Sequence, residues 1–312
     1  MLLLAGCAPE PVRQTAPGEP TLADLATGAY PADAGAETNI GREQVIMAYR
    51  DYLARYPASP ERREIRRRLA DLLMETAGDT MAGLSVSGGD TAPGTTDARQ
   101  RYREAITIYE QLLRDEPEHP DRGEIYYQLS RACEETGQPE RAMALLDELI
   151  VHYPAADTRL YSDALFRRGE LQFDAGDYEA AAASYRAVVE LGDIAPVYEQ
   201  SLYKLGWSLF RQERYEQALS AFFALLDRKL PAGVAPGARI AALAPAEQEQ
   251  LDDVFRAISL SFSYLEGAGS IDAWFRRAGS RDYEQRIYRN LAELYDDKAL
   301  YTDAAGTRLA LA

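Results

Sequence analysis

The stretch ALFRRGELQFDAGDYEAAAASYRAVV (residues 164–189) decides the fold, and SLYKLGWSLFRQERYEQALSAFFALL (residues 201–226) repeats its pattern. In both stretches, two apolar segments with helical spacing are separated by a short turn, DAGDY or RQERY. A small residue in the first segment precedes an alanine in the second by 12 positions, as Gly206 precedes Ala218. Small residues at this spacing let two helices approach closely, so we predict an antiparallel helix pair.

The same spacing recurs through most of the chain. Other pairs 12 residues apart are Ser130 with Ala142, Ala292 with Ala304 and, in a degenerate copy, Ser259 with Ile271. A bulky residue follows four positions after the second small residue at Leu146, Tyr185 and Phe222. The alanines of the second helices recur at intervals of 37, 39 and 37 residues, at Ala105, Ala142, Ala181 and Ala218. Helix pairs with this period predict a solenoid in which each unit packs on its neighbours.

These residues resemble tetratricopeptide repeats, whose pattern has Leu-Gly in the first helix, Gly-x-Tyr at the turn and Ala before an aromatic residue in the second helix. The matching positions are Leu205, Gly206, Tyr215, Ala218 and Phe222 in one unit, and Gly169, Gly176, Tyr178, Ala181 and Tyr185 in the other. Arg168, Pro139 and Arg308 depart from the pattern. The resemblance implies an all-α fold, a right-handed superhelical solenoid of antiparallel helix pairs, with about five units after a leading half unit.

Composition separates a tether from the solenoid. Residues 7–40 are rich in Pro, Ala and Gly and lack helical periodicity, so we predict a disordered tether there, followed by the solenoid over residues 41–312. Insertions are expected near 78–97 and 229–247. The first is glycine-rich, but no Gly-Lys-Ser/Thr follows it, so we predict a flexible loop rather than a phosphate site. The last unit lacks a terminating proline and a polar capping helix, so we expect the array to be truncated at its C-terminal end.

The N-terminal residues LLAGC resemble a bacterial lipobox that ends at Cys7. The resemblance implies attachment of a diacylglycerol to the Cys7 sulfur and cleavage just before it. Residues 1–6 would then be a partial signal peptide, and the tether of residues 7–40 would be lipid-anchored. Ala8, rather than Asp, follows the cysteine, and in such lipoproteins this suggests export to the outer membrane. The basic and apolar regions of a signal peptide are missing, so either the true start lies upstream of Met1 or the match is accidental.

The net charge and the small numbers of cysteines and histidines exclude several classes of function. A net charge of -16 opposes binding to phosphate backbones, so we expect no nucleic-acid partner. Cys7 and Cys133 are the only cysteines, and His119 and His152 the only histidines, so we expect neither a zinc site nor any other metal or cofactor. Cys133 is predicted to be a buried, inert thiol, and both histidines to be exposed or at helix ends. We therefore expect a protein that is not an enzyme; a catalytic domain would have to lie beyond Ala312.

The family resemblance also implies a binding surface, since ligands of these repeats lie in a groove lined by the first helices. The corresponding groove positions are Tyr127, Arg131, Phe166, Glu170, Phe173, Tyr203, Trp207 and Phe210. The same repeat positions also supply Glu124, Glu134, Glu135, Asp163, Asp174, Gln200 and Arg211. An aromatic groove with an acidic edge suits a peptide that brings hydrophobic side chains and some Lys or Arg. The aromatic residues would otherwise fill contacts between units, and for Trp207 and Phe210 both alternatives stay open.

The sequence as a whole favours a scaffold in the bacterial cell envelope. We expect a lipid-anchored protein on the periplasmic face of the outer membrane, whose groove binds a protein or peptide partner in an assembly or transport complex. A membrane contact would be made through the N-terminal lipid. The alternative is a cytoplasmic repeat adaptor without a lipid anchor.

Overall fold

The computed structural model describes residues 35–87, 93–153, 158–233 and 235–311, and every regular element in these ranges is helical. The chain divides into two compact units, Met1–Ile108 and Tyr109–Ala312. The predictions for the signal peptide, for Cys7 and for most of the tether lie outside the described residues.

The first unit is built from α1 (Gly35–Arg55), α2 (Arg62–Ser87) and the beginning of α3 (Pro93–Asp115). Arg50 of α1 donates from Nη2 to a carboxylate oxygen of Glu104 on α3, at 2.6 Å. The insertion expected over 78–97 is mostly helical, because α2 continues to Ser87 and α3 already begins at Pro93. Helix α1 also begins six residues before the expected start of the solenoid at position 41.

The second unit continues with eleven further helices among the described residues and one short 3-10 turn, Gly192–Ile194. In chain order the first ten are α4 (Arg122–Glu135), α5 (Pro139–His152), α6 (Thr158–Asp174), α7 (Tyr178–Leu191), α8 (Tyr198–Arg211), α9 (Tyr215–Lys229), α10 (Pro236–Ala241), α11 (Pro245–Ser263), α12 (Ala268–Ala278) and α13 (Glu284–Asp297). An eleventh, α14 (Tyr301–Leu311), ends the described part. The insertion expected near 229–247 contains the short helix α10.

Close helix crossings form where the small residues predicted them. A Cβ atom added to Gly169 of α6 would lie 2.7 Å from the ring of Tyr185 on α7, and one added to Gly206 of α8 would lie 2.5 Å from the ring of Phe222 on α9. Both distances are too short for a carbon–carbon contact, so only glycine admits the ring. The prediction of antiparallel helix pairs with small residues at the crossing is confirmed.

The turn inside each regular pair contains one residue in the left-handed region, always seven positions after the small residue of the first helix. These residues are Gly137 (φ 76°), Gly176 (φ 79°), Glu213 (φ 59°) and Ala299 (φ 59°). The N–H of the next residue donates to a carbonyl five positions back; for example, Arg214 donates to Leu209 at 3.0 Å. This hydrogen bond closes the first helix in the manner of a Schellman motif and fixes the direction of the second.

The pair α11 and α12 departs from this pattern in two ways. Ile271, which is fully buried, stands where the other pairs have alanine, and the left-handed residue, Gly267 (φ 58°), comes one position later than in the other turns. Helix α11 packs against α9 and α13, but it approaches α12 at only a few positions. A β-branched side chain at the crossing keeps the two helices further apart than alanine does.

Candidate functional site

The eight predicted groove residues lie on three successive first helices, α4, α6 and α8, and each is half-buried. We call the surface that they form the first-helix face. It consists of Tyr127, Arg131, Phe166, Glu170, Phe173, Tyr203, Trp207 and Phe210. Half-burial means that each side chain contacts a neighbouring helix and also presents part of its surface to solvent.

An ion pair joins α4 to α6 along this face. The Nε atom of Arg167 lies 2.8 Å from a carboxylate oxygen of Glu134. Tyr127 lies beside this pair, and burial raises the pKa of its hydroxyl above the ordinary value. The Tyr127 ring is therefore held as a neutral, largely apolar group at physiological pH.

A second ion pair joins α6 to α8. Glu170 accepts a hydrogen bond from the Lys204 ammonium at 2.8 Å and another from the hydroxyl of Tyr185, whose ring fills the Gly169 crossing. The Lys204 ammonium also lies 5.4 Å from the centre of the Phe173 ring, within the range of a cation–π contact. Both contacts fix the side chains of Glu170 and Phe173 before any partner arrives.

The aromatic residues of α8 form a connected row. Trp207 packs edge-on against Tyr203, Phe210 and Phe222, with ring centres 6.4, 5.5 and 5.8 Å apart. Its indole Nε1 is buried and has no acceptor within the described residues. Trp207 therefore contributes chiefly to packing between the helices, while one part of its ring remains at the surface.

The row continues to α11 through a hydrogen bond that crosses from one repeat to the next. The Tyr203 hydroxyl donates to Asp253 Oδ2 at 2.6 Å. Burial, followed by this bond to a carboxylate, raises the pKa of Tyr203 to about 12. Beyond Phe210, Tyr264 stacks on Tyr215 with ring centres 4.9 Å apart, and Tyr264 is 56% exposed.

Asp253 and Tyr264 extend the face and were not among the predicted groove residues. Asp253 stands six positions before Ser259, the same offset that separates Asp163 from Gly169. The alignment on small residues therefore contained the signal, but the degenerate second helix of this unit obscured it.

The exposed charges at the edge of the face are mostly acidic. Glu135 and Asp174, at the ends of α4 and α6, are exposed and form no ion pair within the part of the chain that the structure describes. Arg211 stands at the corresponding end of α8, and its guanidinium lies 4.9 Å from the centre of the Tyr178 ring. The edge thus offers two carboxylates next to a row of aromatic rings.

The cysteine and histidine predictions have mixed outcomes. Cys133 is fully buried, and burial raises the pKa of its thiol to about 11, as expected for an inert side chain. His152 ends α5, as predicted, but His119 is buried rather than exposed, because its Nδ1 accepts the backbone N–H of Asp121 at 3.1 Å inside an inter-repeat turn.

Among the described residues no cluster of three or more His, Cys, Asp or Glu could hold a metal ion. No helix in the same ranges is long and apolar enough to span a membrane.

Comparison with known families and structures gives the following matches. A family model described as a tetratricopeptide repeat matches residues 98–165, and a second model of the same description matches residues 155–199 and 166–234. No curated protein matches the chain. The crystal structure of BtubC from P. vanneervenii is 14% identical, with a TM-score of 0.50 over 82% of this chain and 91% of that one. MamA from Desulfovibrio magneticus RS-1 is 20% identical, with a TM-score of 0.38 over 61% of this chain and 93% of that one. The likeness to BtubC shows the fold alone.

Proposed function

We propose that the chain is a lipid-anchored scaffold on the periplasmic face of the bacterial outer membrane. The proposal starts from the match of residues 98–234 to the tetratricopeptide repeat family. Repeats of this family imply a scaffold for protein–protein interaction. The finer proposal is that the first-helix face binds a protein or peptide partner within an envelope assembly or transport complex.

The observation that carries the binding proposal is the way the first-helix face is held in place. Glu134 with Arg167, Glu170 with Lys204, and Tyr203 with Asp253 each join one first helix to the next. Side chains held in this way lose little conformational freedom when a partner binds, which favours affinity. Half-exposed aromatic rings are also the side chains that contribute most to protein interfaces.

The chemistry of the face indicates the chemistry of its partner. The rings of Phe173, Tyr203 and Phe210 suit hydrophobic side chains of an extended or helical peptide. The carboxylates of Glu135 and Asp174 at the edge suit Lys or Arg next to those side chains. We therefore propose a partner segment in which apolar residues alternate with basic ones.

Site-specific photo-crosslinking tests this proposal in the intact cell. A photoreactive phenylalanine analogue replaces Phe173 in one variant and Val151 in another. Val151 lies on the second helix α5 and is 69% exposed, so it reports non-specific contacts at a site away from the face. We expect a discrete adduct from position 173 and none from position 151. Equal adducts from the two positions, or none from position 173, would refute binding at the face.

A substitution pair measures the contribution of one ring. Phe173→Ala removes the half-buried ring that lies under Lys204, whereas Val151→Ala removes an exposed apolar side chain on a second helix. We expect Phe173→Ala to reduce the yield of partner co-purified with the tagged protein by about tenfold, as for loss of an aromatic anchor, and Val151→Ala to leave it unchanged. Far-UV circular dichroism of both variants checks that helicity is retained.

The lipid anchor is proposed on the sequence LLAGC and has its own test. A gene that includes a complete leader is expressed with a radiolabelled or alkyne-bearing fatty acid, as the native sequence and as Cys7→Ala. We expect label on the native protein and none on the variant. An unlabelled native protein recovered from the cytoplasm would support the alternative, a repeat adaptor without a lipid anchor. This result would leave the crosslinking experiment, and with it the binding proposal, unaffected.

A further inference from the structure

A cleft of about 510 Å³ lies in the second unit, on the side of the second helices. Its walls are α9 and α12, and the end of α11 closes it at the bottom. The apolar lining consists of Leu219, Phe262, Leu265, Ala273 and Trp274. We call it the α9–α12 cleft; it shares no lining residue with the first-helix face.

The cleft forms at the one described pair in which the regular crossing is lost. Helix α12 makes far fewer contacts with α11 than α9 makes with α8. This pair has Ile271 in place of alanine, and its left-handed residue is displaced to Gly267. Helix α12 is held instead by Trp274, which stacks on Phe223 of α9 with ring centres 4.9 Å apart. The aromatic wall is therefore fixed, although the space beside it is open.

Charges of opposite sign stand on opposite walls of the cleft. Glu216 belongs to α9 and Glu266 follows α11, whereas Arg276 and Arg277 both belong to α12. All four side chains are exposed, and none forms an ion pair within the described ranges. The guanidinium of Arg277 instead lies 5.8 Å from the centre of the Trp274 ring.

The contrast with the opposite end of α9 shows that this arrangement is local. There Arg228 lies 2.6 Å from Asp193 and 2.7 Å from Glu199, and Lys229 lies 2.9 Å from Glu247. At that end of α9 the basic side chains are therefore paired with carboxylates. At the cleft the chain keeps two acidic and two basic side chains available to a ligand.

We propose that the α9–α12 cleft is a second binding site, for a short peptide segment with a bulky apolar residue between an acidic and a basic residue. The apolar side chain packs on Trp274 and Leu219, the acidic residue pairs with Arg276 and Arg277, and the basic residue pairs with Glu216 and Glu266. The volume lies within the range of about 300–1000 Å³ that is usual for ligand sites. The proposal is independent of the function proposed for the first-helix face.

The fluorescence emission of Trp274 measures peptide binding in the cleft. The chain has two tryptophans, so Trp207→Phe leaves Trp274 as the only indole. The probes are synthetic peptides of about a dozen residues with a central Leu-Phe, with Glu before it and Lys after it in one peptide and the reverse order in the other. A third peptide replaces Leu-Phe with Ser-Ser. We expect a saturable change in Trp274 emission with one of the Leu-Phe peptides and none with the Ser-Ser peptide.

Two variants in the Trp207→Phe background test the charges. Removal of both cleft arginines, by Arg276→Gln and Arg277→Gln, is expected to weaken peptide binding by about fivefold, as for loss of exposed ion pairs. Arg289→Gln removes an exposed charge from α13, away from the cleft, and is expected to leave binding unchanged. Equal affinities in the two variants would overturn the proposal.

Three other results would also overturn it. One is the absence of an emission change with both Leu-Phe peptides up to millimolar concentration. Another is loss of the change in Phe173→Ala, which would place the peptide on the first-helix face. The third is a concentration-dependent dimer in sedimentation velocity that disappears when the two arginines are replaced, because the occupant would then be a second copy of the chain.

Discussion

The pairs α8–α9 and α11–α12 follow the same sequence spacing but pack differently. In the first pair Gly206 receives the ring of Phe222, and the two helices lie close together. In the second pair Ile271 occupies the alanine position, α12 approaches α11 at only a few positions, and an open cleft lies between α12 and α9. The two pairs differ in the side chain at the alanine position and in the place of the left-handed residue, and the pair that departs from the pattern is the one beside the cavity.

The irregular pair stays in the array because contacts on its other sides compensate. Asp227 at the end of α9 accepts two hydrogen bonds from the Arg281 guanidinium, at 2.8 and 3.0 Å, and a third from the hydroxyl of the buried Tyr283. This cluster connects α9 directly to the segment that leads into α13. It acts together with the packing of α11 against both α9 and α13.

Among substitutions that distinguish the two pairs, Phe222→Ala is expected to cause the largest loss in the free energy of unfolding. The Phe222 ring is fully buried at the crossing, so its removal leaves a cavity and lowers the free energy of unfolding by about 3–5 kcal/mol. Trp274→Ala should cost less, because one side of this ring already faces the cleft. Urea unfolding followed by circular dichroism measures both values. Equal losses would contradict the packing difference between the pairs.

Replacing glycine by alanine should change the free energy of unfolding in opposite directions in the two pairs. Gly206→Ala places a Cβ atom 2.5 Å from the Phe222 ring, and we expect a loss of about 1–3 kcal/mol from overpacking. No atom outside its own helix would lie within 4 Å of a Cβ atom at Gly269 on α12, so Gly269→Ala should gain about 0.5–1 kcal/mol from helix propensity.

The same urea experiment measures both glycine variants. A double variant with Gly206→Ala and Phe222→Leu serves as the control, since the smaller side chain should recover part of the loss. If Gly206→Ala were as well tolerated as Gly269→Ala, steric contact at the crossing would not be what selects glycine there.

The sequence predicted the regular pairs well because their determinants are local. Gly169 and Gly206, spaced from the alanines of the second helices, locate each crossing without further information. The sequence was less informative where the determinant is not local. Glu213 stands at the position that glycine occupies in the two preceding turns, but the residue itself is not typical of a left-handed conformation, which the two helices that it joins impose.

The first-helix face was predictable for the same reason. The spacing of Asp253 from Ser259 indicated its continuation to α11, but not the contact that joins the two helices. The positions of Phe173 and Tyr203 follow from the repeat spacing alone. The bond between Tyr203 and Asp253 depends on how α11 packs beside α8 after an intervening 33 residues that contain α9 and α10. Such a register comes from tertiary packing, and a repeat pattern interrupted by an insertion does not supply it.

The link between the regular and the irregular pair should weaken at alkaline pH. Burial and the bond to Asp253 raise the pKa of Tyr203 to about 12, so the folded state holds this proton more tightly than the unfolded chain does. The contribution is fully present below the unfolded value of about 10 and is lost as the pH rises from there towards 12. We expect the midpoint of urea unfolding to fall with pH in this window, and to fall less steeply in Tyr203→Phe.

Other buried tyrosines contribute to the same alkaline loss, among them Tyr283, whose pKa is also raised by burial and by its bond to Asp227. The test is therefore the difference in slope between the wild-type chain and Tyr203→Phe. Tyr301→Phe, at a position that is 69% exposed, serves as the control variant. Identical slopes for Tyr203→Phe and the wild-type chain would show that the Tyr203 hydroxyl does not stabilise the junction through its proton.

The smallest expected effects concern the turns, which are shaped alike in the regular pairs but occupied by different residues. Glu213 adopts φ 59° where the preceding unit has Gly176 at φ 79°. A left-handed conformation strains a residue with a side chain by about 1–2 kcal/mol, and glycine recovers this at an entropic cost of about 0.5–1 kcal/mol. Glu213→Gly should therefore raise the free energy of unfolding by up to about 1 kcal/mol, and Gly176→Ala should lower it by a similar amount. Thermal unfolding of the two variants measures both changes, and a loss of stability in Glu213→Gly would mean that the Glu213 side chain, rather than its backbone, stabilises the turn.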